Sequence, residues 1–254
     1  MLDRWYRAHG RHDLAWRTTR DRWSVLVSEV MLHQTQVGRV AVAWPGFIAA
    51  FPTPAAMTAV EAGVVIRAWD RLGYPRRARR LWGAAKVIAR DGWPGDLTDL
   101  PGVGRYTAAA VRAQADGGDV AAVEVNVRRV VERVRGRRLT ETEAEHAMVE
   151  IGRPLAGRDR LLALMDVGAL VCRPRSPRCH ECPLRRGCAT RGVLPEERRS
   201  RQARFEGSFR QRRGRVLAAL RSGPADVGVL DGEALQSLSG DGLAVVDGAR
   251  ARLP

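Results

Sequence analysis

Long apolar runs and lysine are what this 254-residue sequence most clearly lacks. No stretch approaches the roughly 18 apolar residues that a membrane span needs. The first residues, MLDRWYRAHGRHDLAW, contain no apolar signal-peptide core. We therefore expect a cytoplasmic protein that does not bind a membrane. Lysine occurs only at Lys86, so almost all of the positive charge is carried by arginine.

The excess of positive charge predicts a polyanionic partner. The formal net charge is +15, and fourteen arginines fall between Arg173 and Arg215 against four acidic residues. A GC-rich coding sequence would explain arginine in place of lysine, but it would not explain the excess. Such a segment can bind the phosphate backbone of DNA without reading its sequence.

Alternating strand patterns are scarce, and most of the chain has helical periodicity. In "DRWSVLVSEVMLHQTQVGRVAVAW", which we predict to be one helix, Asp21 is the N-cap and apolar residues follow at 23, 26, 27, 30 and 31. We predict an all-α fold with two helical lobes in residues 1–190 and a basic linker in 191–208. A small winged-helix-like module of two helices and a β-hairpin should occupy residues 209–254.

Cysteine is confined to one short segment, where it occurs as Cys172, Cys179, Cys182 and Cys188. Disulfides here would close only very short loops, and a tight cysteine cluster in a cytoplasmic protein more often binds metal. Only Cys179 and Cys182 form the short knuckle that is typical of zinc sites. Spacings of six, two and five residues favour a [4Fe–4S] cluster, with zinc or plain thiols as the alternatives.

The segment "LTDLPGVGRYTAAAV" has the pattern of a helix-hairpin-helix motif. Its glycine-lined turn can bind a DNA phosphate through backbone N–H groups and the N-terminus of the following helix. The residues of this turn are Pro101, Gly102, Val103, Gly104 and Arg105. An ordinary turn between two helices is the alternative interpretation.

Five segments occur in an order that resembles the MutY family of adenine DNA glycosylases: "SEVMLHQTQV", "RLGYPRRARRL", "LPGVGRYTAAAV", "EVNVRRVVERV" and "LMDVGALVCRPRSPRCHECPLRRGC". This family belongs to the helix-hairpin-helix base-excision superfamily that includes endonuclease III. The resemblance runs from about residue 3 to 190 and continues weakly to the end, as in short actinobacterial members. It implies a [4Fe–4S] cluster on the four cysteines. It also implies a monomer that binds duplex DNA containing a mispair or lesion, at the nucleoid, and flips one base out before hydrolysing its N-glycosidic bond.

Glu29 falls on the catalytic Glu of the family, which protonates the adenine ring. Helical periodicity alone favours a Glu on the polar face of an amphipathic helix, because Glu29 lies beside the apolar stripe and not in it. If Glu29 is buried, desolvation should raise its pKa and suit it to act as a general acid.

Two residues depart from the family pattern. Glu124 stands where the family has Asp and would supply negative charge beside the oxocarbenium-like sugar. Two positions later, Asn126 falls on an Asn of the family and is a further candidate catalytic residue. Glu caps a helix less well than Asp and is longer by one methylene. Three outcomes stay open: Glu124 has the same role as the Asp, the substrate is altered, or the enzyme is weakened. His33 stands where the family usually has Gln, although a lone His is more often structural.

Tyr106 occupies the position where bifunctional relatives carry a Schiff-base lysine. Because no lysine lies near it in the sequence, we expect hydrolysis by water with the DNA strand left intact. In family members with Tyr here, the phenol helps to stabilise the cationic sugar. The resemblance further implies a set of base-pocket residues, which are Trp16, Arg17, Leu32, Val37 and Asp166. It implies that Gln34, beside His33, wedges into the duplex.

We expect the opposite base to be read without the NUDIX-like domain that many MutY proteins use for 8-oxoguanine. About 65 residues follow Cys188, which is too few for that domain. Phe205, Ser208 and Phe209 in "RFEGSFRQRRGR" are candidate replacements, or else belong to a docking segment for the C-terminal module. Pro75 stands where many members carry a wedge tyrosine.

These features favour a monofunctional glycosylase that releases adenine opposite 8-oxoguanine or guanine. A glycosylase of the same fold with another base specificity is an alternative, motivated by Glu124 and His33. A DNA-binding or lesion-sensing protein with weak catalysis is a further alternative. Glu29 argues against it, since a protein that only binds DNA has no need of a buried acid.

Overall fold

The computed structural model describes residues 1–195, 197 and 204–254. The chain divides into two compact units, of which the first comprises residues 1–29 and 103–199 and the second residues 30–102 and 200–254. Residues 196 and 198–203, in the predicted basic linker, lie outside the described residues.

Helices dominate the described residues, so the predicted all-α class is confirmed. They are α1 (Leu2–His9), α2 (Arg22–Leu32), α3 (Val37–Ala50), α4 (Pro54–Thr58), α5 (Ala62–Trp69), α6 (Arg76–Asp91), α7 (Arg105–Gln114), α8 (Val125–Arg135), α9 (Glu141–Ile151), α10 (Gly157–Asp166), α11 (Phe209–Ser222) and α12 (Gly232–Gly240). A small antiparallel sheet has the order β1-β3-β2, with β1 (Ala225–Asp226), β2 (Val245–Asp247) and β3 (Arg250–Arg252). No helix in the described ranges is long and apolar enough to cross a membrane.

The core of the first unit lies between α8 and α10, with α1, α7 and α9 around them. Val127, Val130 and Val131 recur on one face of α8 and are buried together with Leu161 and Leu164 of α10. Burying each such side chain stabilises the fold by about 1.5–3 kcal/mol. This packing fixes the N-terminus of α8, where Glu124 and Asn126 lie.

The last turn of α10 passes into a π-helical turn, Val167–Val171, that leads to Cys172. Gly168 in this turn lies against the start of α8. A Cβ at Gly168 would come within 2.6 Å of the Asn126 Cβ, so only glycine permits this approach. The π-turn thereby connects the start of the cysteine loop to the backbone that carries Asn126.

Aromatic packing marks the core of the second unit. The rings of Phe47 and Phe51 are 5.0 Å apart, and the Trp69 ring lies 5.7 Å from that of Phe47 in an edge-on arrangement. Three helices pack beside them, with α4 and α5 both against α6.

The C-terminal segment packs within the second unit. Arg213 of α11 forms an ion pair with Asp241 just after α12, and Arg76 of α6 pairs with the same carboxylate. The predicted order of two helices and a hairpin is present, with the two-residue strand β1 added between the helices. The division of residues 209–254 as a separate module stays a prediction.

Candidate active site

Glu29 is a buried carboxyl group on α2, with 3% of its surface exposed. The Tyr106 hydroxyl donates to Oε2 of Glu29 at 2.9 Å, and Nε2 of Gln114 donates to Oε1 at 2.7 Å. The polar face that helical periodicity favours for Glu29 is therefore covered by α7. The carboxyl is held at both oxygens inside the first unit.

The pKa of Glu29 is raised above its usual value, chiefly because burial disfavours the charged form. The hydrogen bonds from Gln114 and Tyr106 and the charge of Arg17 act in the opposite direction, and the charge of Glu124 raises the pKa further. The net result is a carboxyl group that keeps its proton to higher pH than an exposed glutamate. This property suits a general acid.

Gln114 was not identified from the sequence. It is the last residue of α7 and is only 1% exposed. Tyr106 and Gln114 are eight residues apart, a spacing that brings two side chains to one face of a helix. Its spacing from Tyr106 is the only signal in the sequence that points to it.

Glu124 is the N-cap of α8. Its Oε1 accepts a hydrogen bond from the backbone N–H of Val127 at 2.9 Å, and its Oε2 accepts one from Nδ2 of Asn126 at 2.9 Å. The expectation of poor capping by Glu is therefore wrong here, because the longer side chain folds back onto its own helix. Burial raises the pKa of Glu124, and its hydrogen bonds with Asn126 and Val127 oppose this shift.

Asn126 is held from its other side by Arg129. Nη2 of Arg129 donates to Oδ1 of Asn126 and to the carbonyl of Gly168, each at 2.7 Å. Because Arg129 holds the amide oxygen, the Asn126 nitrogen is oriented toward Glu124.

Asp166 forms a second buried charged group in the first unit. Its carboxylate accepts two hydrogen bonds from the guanidinium of Arg17, at 2.7 and 2.9 Å, and two from the backbone and side chain of Arg11. Burial alone would raise the pKa of Asp166, but its bonds with Arg17 and the charge of Arg11 hold it below the usual value. Trp16, beside Arg17, is also buried.

The other predicted contact residues lie in or at the edge of the second unit. Leu32 ends α2 and Val37 begins α3. Between them Gln34 is exposed and has a φ of 54°, a left-handed conformation that is uncommon outside glycine. Burial and the nearby charge of Arg77 lower the pKa of His33, which favours its neutral form.

Arg77 holds this turn from within the second unit. It donates hydrogen bonds to a set of acceptors, the carbonyls of Val30, Met31, His33, Leu72 and Gly73 and the hydroxyl of Thr35. Burial lowers the pKa of Arg77 to about 10. A side chain with this many contacts fixes the backbone around Gln34.

The hairpin turn has the geometry that the sequence predicts, apart from its first helix, which is only the short 3₁₀ turn Leu97–Asp99. Pro101 is exposed and Val103 buried. Gly102 has a φ of +81°, and a Cβ there would lie 2.8 Å from the Cβ of Arg80. Gly104 is the N-cap of α7, which begins at Arg105.

The four cysteine thiols line one cavity in the first unit. The lining residues are Arg133, Val171, Cys172, Pro177, Cys179, Cys182, Arg185, Cys188, Arg191 and Gly192. Burial is the main reason that the pKa of Cys182 is raised to about 11, and the three other cysteines also raise it. No group of three or more His, Cys, Asp or Glu side chains in the described part of the chain is placed to hold a metal ion. Four thiols around one cavity are a donor set that fits a metal centre.

Arg133 ties the cysteine loop to α8. Its buried guanidinium donates to the Cys172 thiol at 3.4 Å and to the carbonyls of Arg173 and Pro174, and it pairs with Glu197. The loop is therefore attached to the helix that carries Glu124.

The candidate lesion-contacting segment is partly used for structure. Ser208 is the N-cap of α11 and accepts from the backbone of Gln211. Phe205 and Phe209 are 51% and 38% exposed, and the guanidinium groups of Arg210 and Arg212 lie over their rings. Pro75 is the N-cap of α6.

Comparison with known proteins identifies the class. Residues 27–154 match the model of the HhH-GPD superfamily base excision DNA repair proteins, a range that contains Glu29, Tyr106, Gln114 and Glu124 but not the cysteines. An adenine DNA glycosylase of Mycobacterium tuberculosis is 41% identical over 244 residues, which cover 86% of this chain and 76% of that protein. A thymine/uracil-DNA glycosylase of Methanothermobacter thermautotrophicus is 31% identical and covers 70% and 86% of the two chains.

Solved structures agree with this class. A thermostable thymine-DNA glycosylase superposes with a TM-score of 0.65 at 30% identity, covering 75% of this chain and 92% of the other. A non-covalent endonuclease III–DNA complex superposes with a TM-score of 0.64 at 24% identity over 75% and 92% of the two chains, which shows the fold. The chain belongs to the HhH-GPD superfamily of base-excision DNA repair glycosylases, in its MutY-type branch, as the sequence predicted.

Proposed function

We propose that this protein is a monofunctional glycosylase that releases adenine mispaired with 8-oxoguanine or guanine. The observation that carries the proposal is Glu29, a buried carboxyl group with a raised pKa that is held at both oxygens. The relatives named adenine DNA glycosylase support adenine as the base. We further propose that the protein acts as a monomer on chromosomal DNA at the nucleoid.

The reaction begins when the flipped adenine accepts a proton from Glu29, so that the base leaves as a neutral species. Glu124 stabilises the positive charge that develops on the sugar, because a fixed carboxylate gains interaction energy as that charge grows. Tyr106 orients Glu29 and adds its phenol oxygen near the cationic sugar. Water completes the hydrolysis, since Tyr106 stands where a Schiff-base lysine would be and the one lysine of the chain, Lys86, lies over the Trp82 ring.

The DNA and base contacts follow from the resemblance. Gln34, next to His33, wedges into the duplex, and the hairpin turn at residues 101–105 binds the backbone. Trp16, Arg17, Leu32, Val37 and Asp166 line the pocket for the flipped base. Because Arg17 and Asp166 already bind each other, their part in the pocket is to form a fixed polar wall.

The four cysteines would hold a [4Fe–4S] cluster. This inference is supported by their shared cavity and their spacing. When bound, the cluster would give the arginine-rich loop one fixed conformation. The contribution of Cys172, Cys179, Cys182 and Cys188 is then to hold positive charge where a phosphate backbone can meet it.

A second candidate is a glycosylase of the same fold that removes another base. The relative named thymine/uracil-DNA glycosylase and the departures at Glu124 and His33 favour it. The test is a panel of duplexes that carry A, U, T, hypoxanthine or 8-oxoguanine in each pairing, read as alkali-labile sites. The proposal predicts cleavage after alkali at A opposite 8-oxoguanine and G, without strand cleavage before alkali. Release of T or U with A left intact would establish the second candidate.

A further inference from the structure

Gln114 lies at the proposed acid, but the mechanism above assigns it no task. Its side chain is 1% exposed, and Nε2 donates to Oε1 of Glu29 at 2.7 Å. Tyr106 donates to the other oxygen of the same carboxyl. Two donors on one carboxylate favour its ionised form, whereas an acid must carry a proton before it reacts.

A primary amide can serve both protonation states of its neighbour. It presents N–H donors and a carbonyl acceptor at the same end of the side chain, and rotation about its last torsion exchanges them. Gln114 can therefore donate to the Glu29 carboxylate, and after rotation it can accept the O–H of the Glu29 carboxylic acid. The Tyr106 phenol has one oxygen for both roles, whereas the amide has separate donor and acceptor atoms. Burial raises the pKa of Tyr106 well above its usual value, so its phenol stays protonated.

Arg158 anchors the backbone of Gln114. Nη1 of Arg158 donates to the Gln114 carbonyl at 2.6 Å, and Nη2 of the same guanidinium donates to the carbonyl of Arg17 at 2.6 Å. Arg158 thus holds two chain segments whose side chains act on Glu29 and Asp166. This anchoring keeps the amide in reach of Glu29.

We propose that Gln114 is a positioning residue that holds the Glu29 carboxyl in both protonation states and sets the pH above which base release fails. The proposal rests on the proposed function of Glu29 as the acid. The ionisable groups of the first unit that act on Glu29 are Tyr106 on α7, Glu124 at the start of α8 and Arg17 after α1. Gln114 differs from Glu124 and Arg17 because its replacement changes no charge, and from Tyr106 because the proposed mechanism gives it no contact with the sugar.

The test uses Gln114→Met, which keeps the volume of the side chain but removes both donor and acceptor. The bond to the ionised carboxylate is stronger than the bond to the neutral acid, so the loss of both raises the pKa of Glu29. The alkaline limb of the single-turnover rate should move to higher pH, so that the rate there, relative to the maximum, increases about tenfold. Gln114→Leu is the second apolar variant if the Met variant folds poorly by circular dichroism.

The matched control is Ser28→Ala on α2, next to Glu29. The buried Ser28 hydroxyl donates to the carbonyl of Val25 in its own helix. Its replacement also removes a buried polar group, but it leaves the contacts of Glu29 in place. We expect its pH profile to match that of the wild type.

A second readout does not require glycosylase activity. The infrared carbonyl stretch of protonated Glu29 is identified as the band that Glu29→Gln removes, and it is titrated in protein without DNA. We expect this titration to move to higher pH in Gln114→Met. An unmoved titration and an unmoved rate profile in a folded variant would overturn the proposal. If the titration of the band moves but the protein releases no base, the positioning role of Gln114 is supported and the proposed function is contradicted.

Discussion

The Tyr106 hydroxyl donates a hydrogen bond to Oε2 of Glu29 at 2.9 Å. This contact joins the helix after the hairpin turn to the helix that carries the proposed acid. Tyr106 occupies the position where strand-cleaving relatives have a lysine. In the proposed mechanism this position holds the acid in place, because a phenol stands where the amine would be.

Replacing Tyr106 with Phe tests this contact. The ring and its packing are retained, but Glu29 loses one donor that orients it. A hydrogen bond to an ionisable group contributes about 1.5 kcal/mol or more, so single-turnover release of adenine should slow by about tenfold. Duplex binding by fluorescence anisotropy serves as the control and should remain within a few-fold. An unchanged rate of base release would show that the hydroxyl has no part in the reaction.

Replacing Glu124 with Gln tests the carboxylate at the start of α8. Gln keeps the size of the side chain and a hydrogen-bonding oxygen but removes the negative charge. If that charge stabilises the cationic sugar, single-turnover release should fall by about 10²–10³. A Gln variant as fast as the wild type would remove Glu124 from the mechanism.

Glu124→Asp tests whether the longer side chain alters the enzyme. Asp is a better N-cap than Glu, so α8 should remain intact. We expect this variant to match or exceed the wild type on adenine opposite 8-oxoguanine. Loss of activity would mean that the site is built around Glu, and the panel of duplexes would then be repeated with this variant to find the preferred base.

Asp166→Asn tests the buried ion pair with Arg17. Removing one partner leaves the guanidinium uncompensated, which should lower the free energy of unfolding by about 3–5 kcal/mol at pH 7. The pKa of Asp166 is lower in the folded state, so this stability is present above the unfolded pKa and is lost as pH falls through the folded one. Thermal melts should therefore differ most near neutral pH and converge in acid. Asp116→Asn, which disrupts the exposed pair with Arg22, should change the melt little.

Iron analysis tests the cysteine loop. The purified protein should be brown and contain about four irons per chain, as a cubane on four thiolates requires. Cys182→Ser should lose iron and duplex affinity. Stoichiometric zinc without iron would contradict the assignment.

Local sequence patterns predicted the helical class, but not the break between α2 and α3 or the surroundings of Glu29. The apolar stripe and Asp21 predicted one helix through residue 44, but α2 ends at Leu32 and α3 begins at Val37, so that prediction was wrong after Leu32. Asp21 does accept from the Ser24 N–H, as an N-cap should. The same stripe misplaced Glu29, because a periodicity describes one helix and cannot show that α7 covers its polar side. Only the resemblance to a family pointed to its burial.

Contacts between distant segments explain the remaining differences. Gln114 has no motif of its own, and its role depends on the position of Glu29, 85 residues earlier in the chain. Strand β1 has only two residues, and it forms because Ala225 pairs with Ala251. No alternating pattern can form in so short a segment, so this strand was not predictable locally.

The central claim is that Glu29 donates the proton that releases the base. The most direct measurement is single-turnover release of adenine opposite 8-oxoguanine by Glu29→Gln, with duplex affinity measured on the same preparation. We expect base release to be abolished and affinity to stay within a few-fold, because affinity comes mainly from arginines and the hairpin turn. Base release at the wild-type rate would contradict the claim and remove Glu29 from the mechanism.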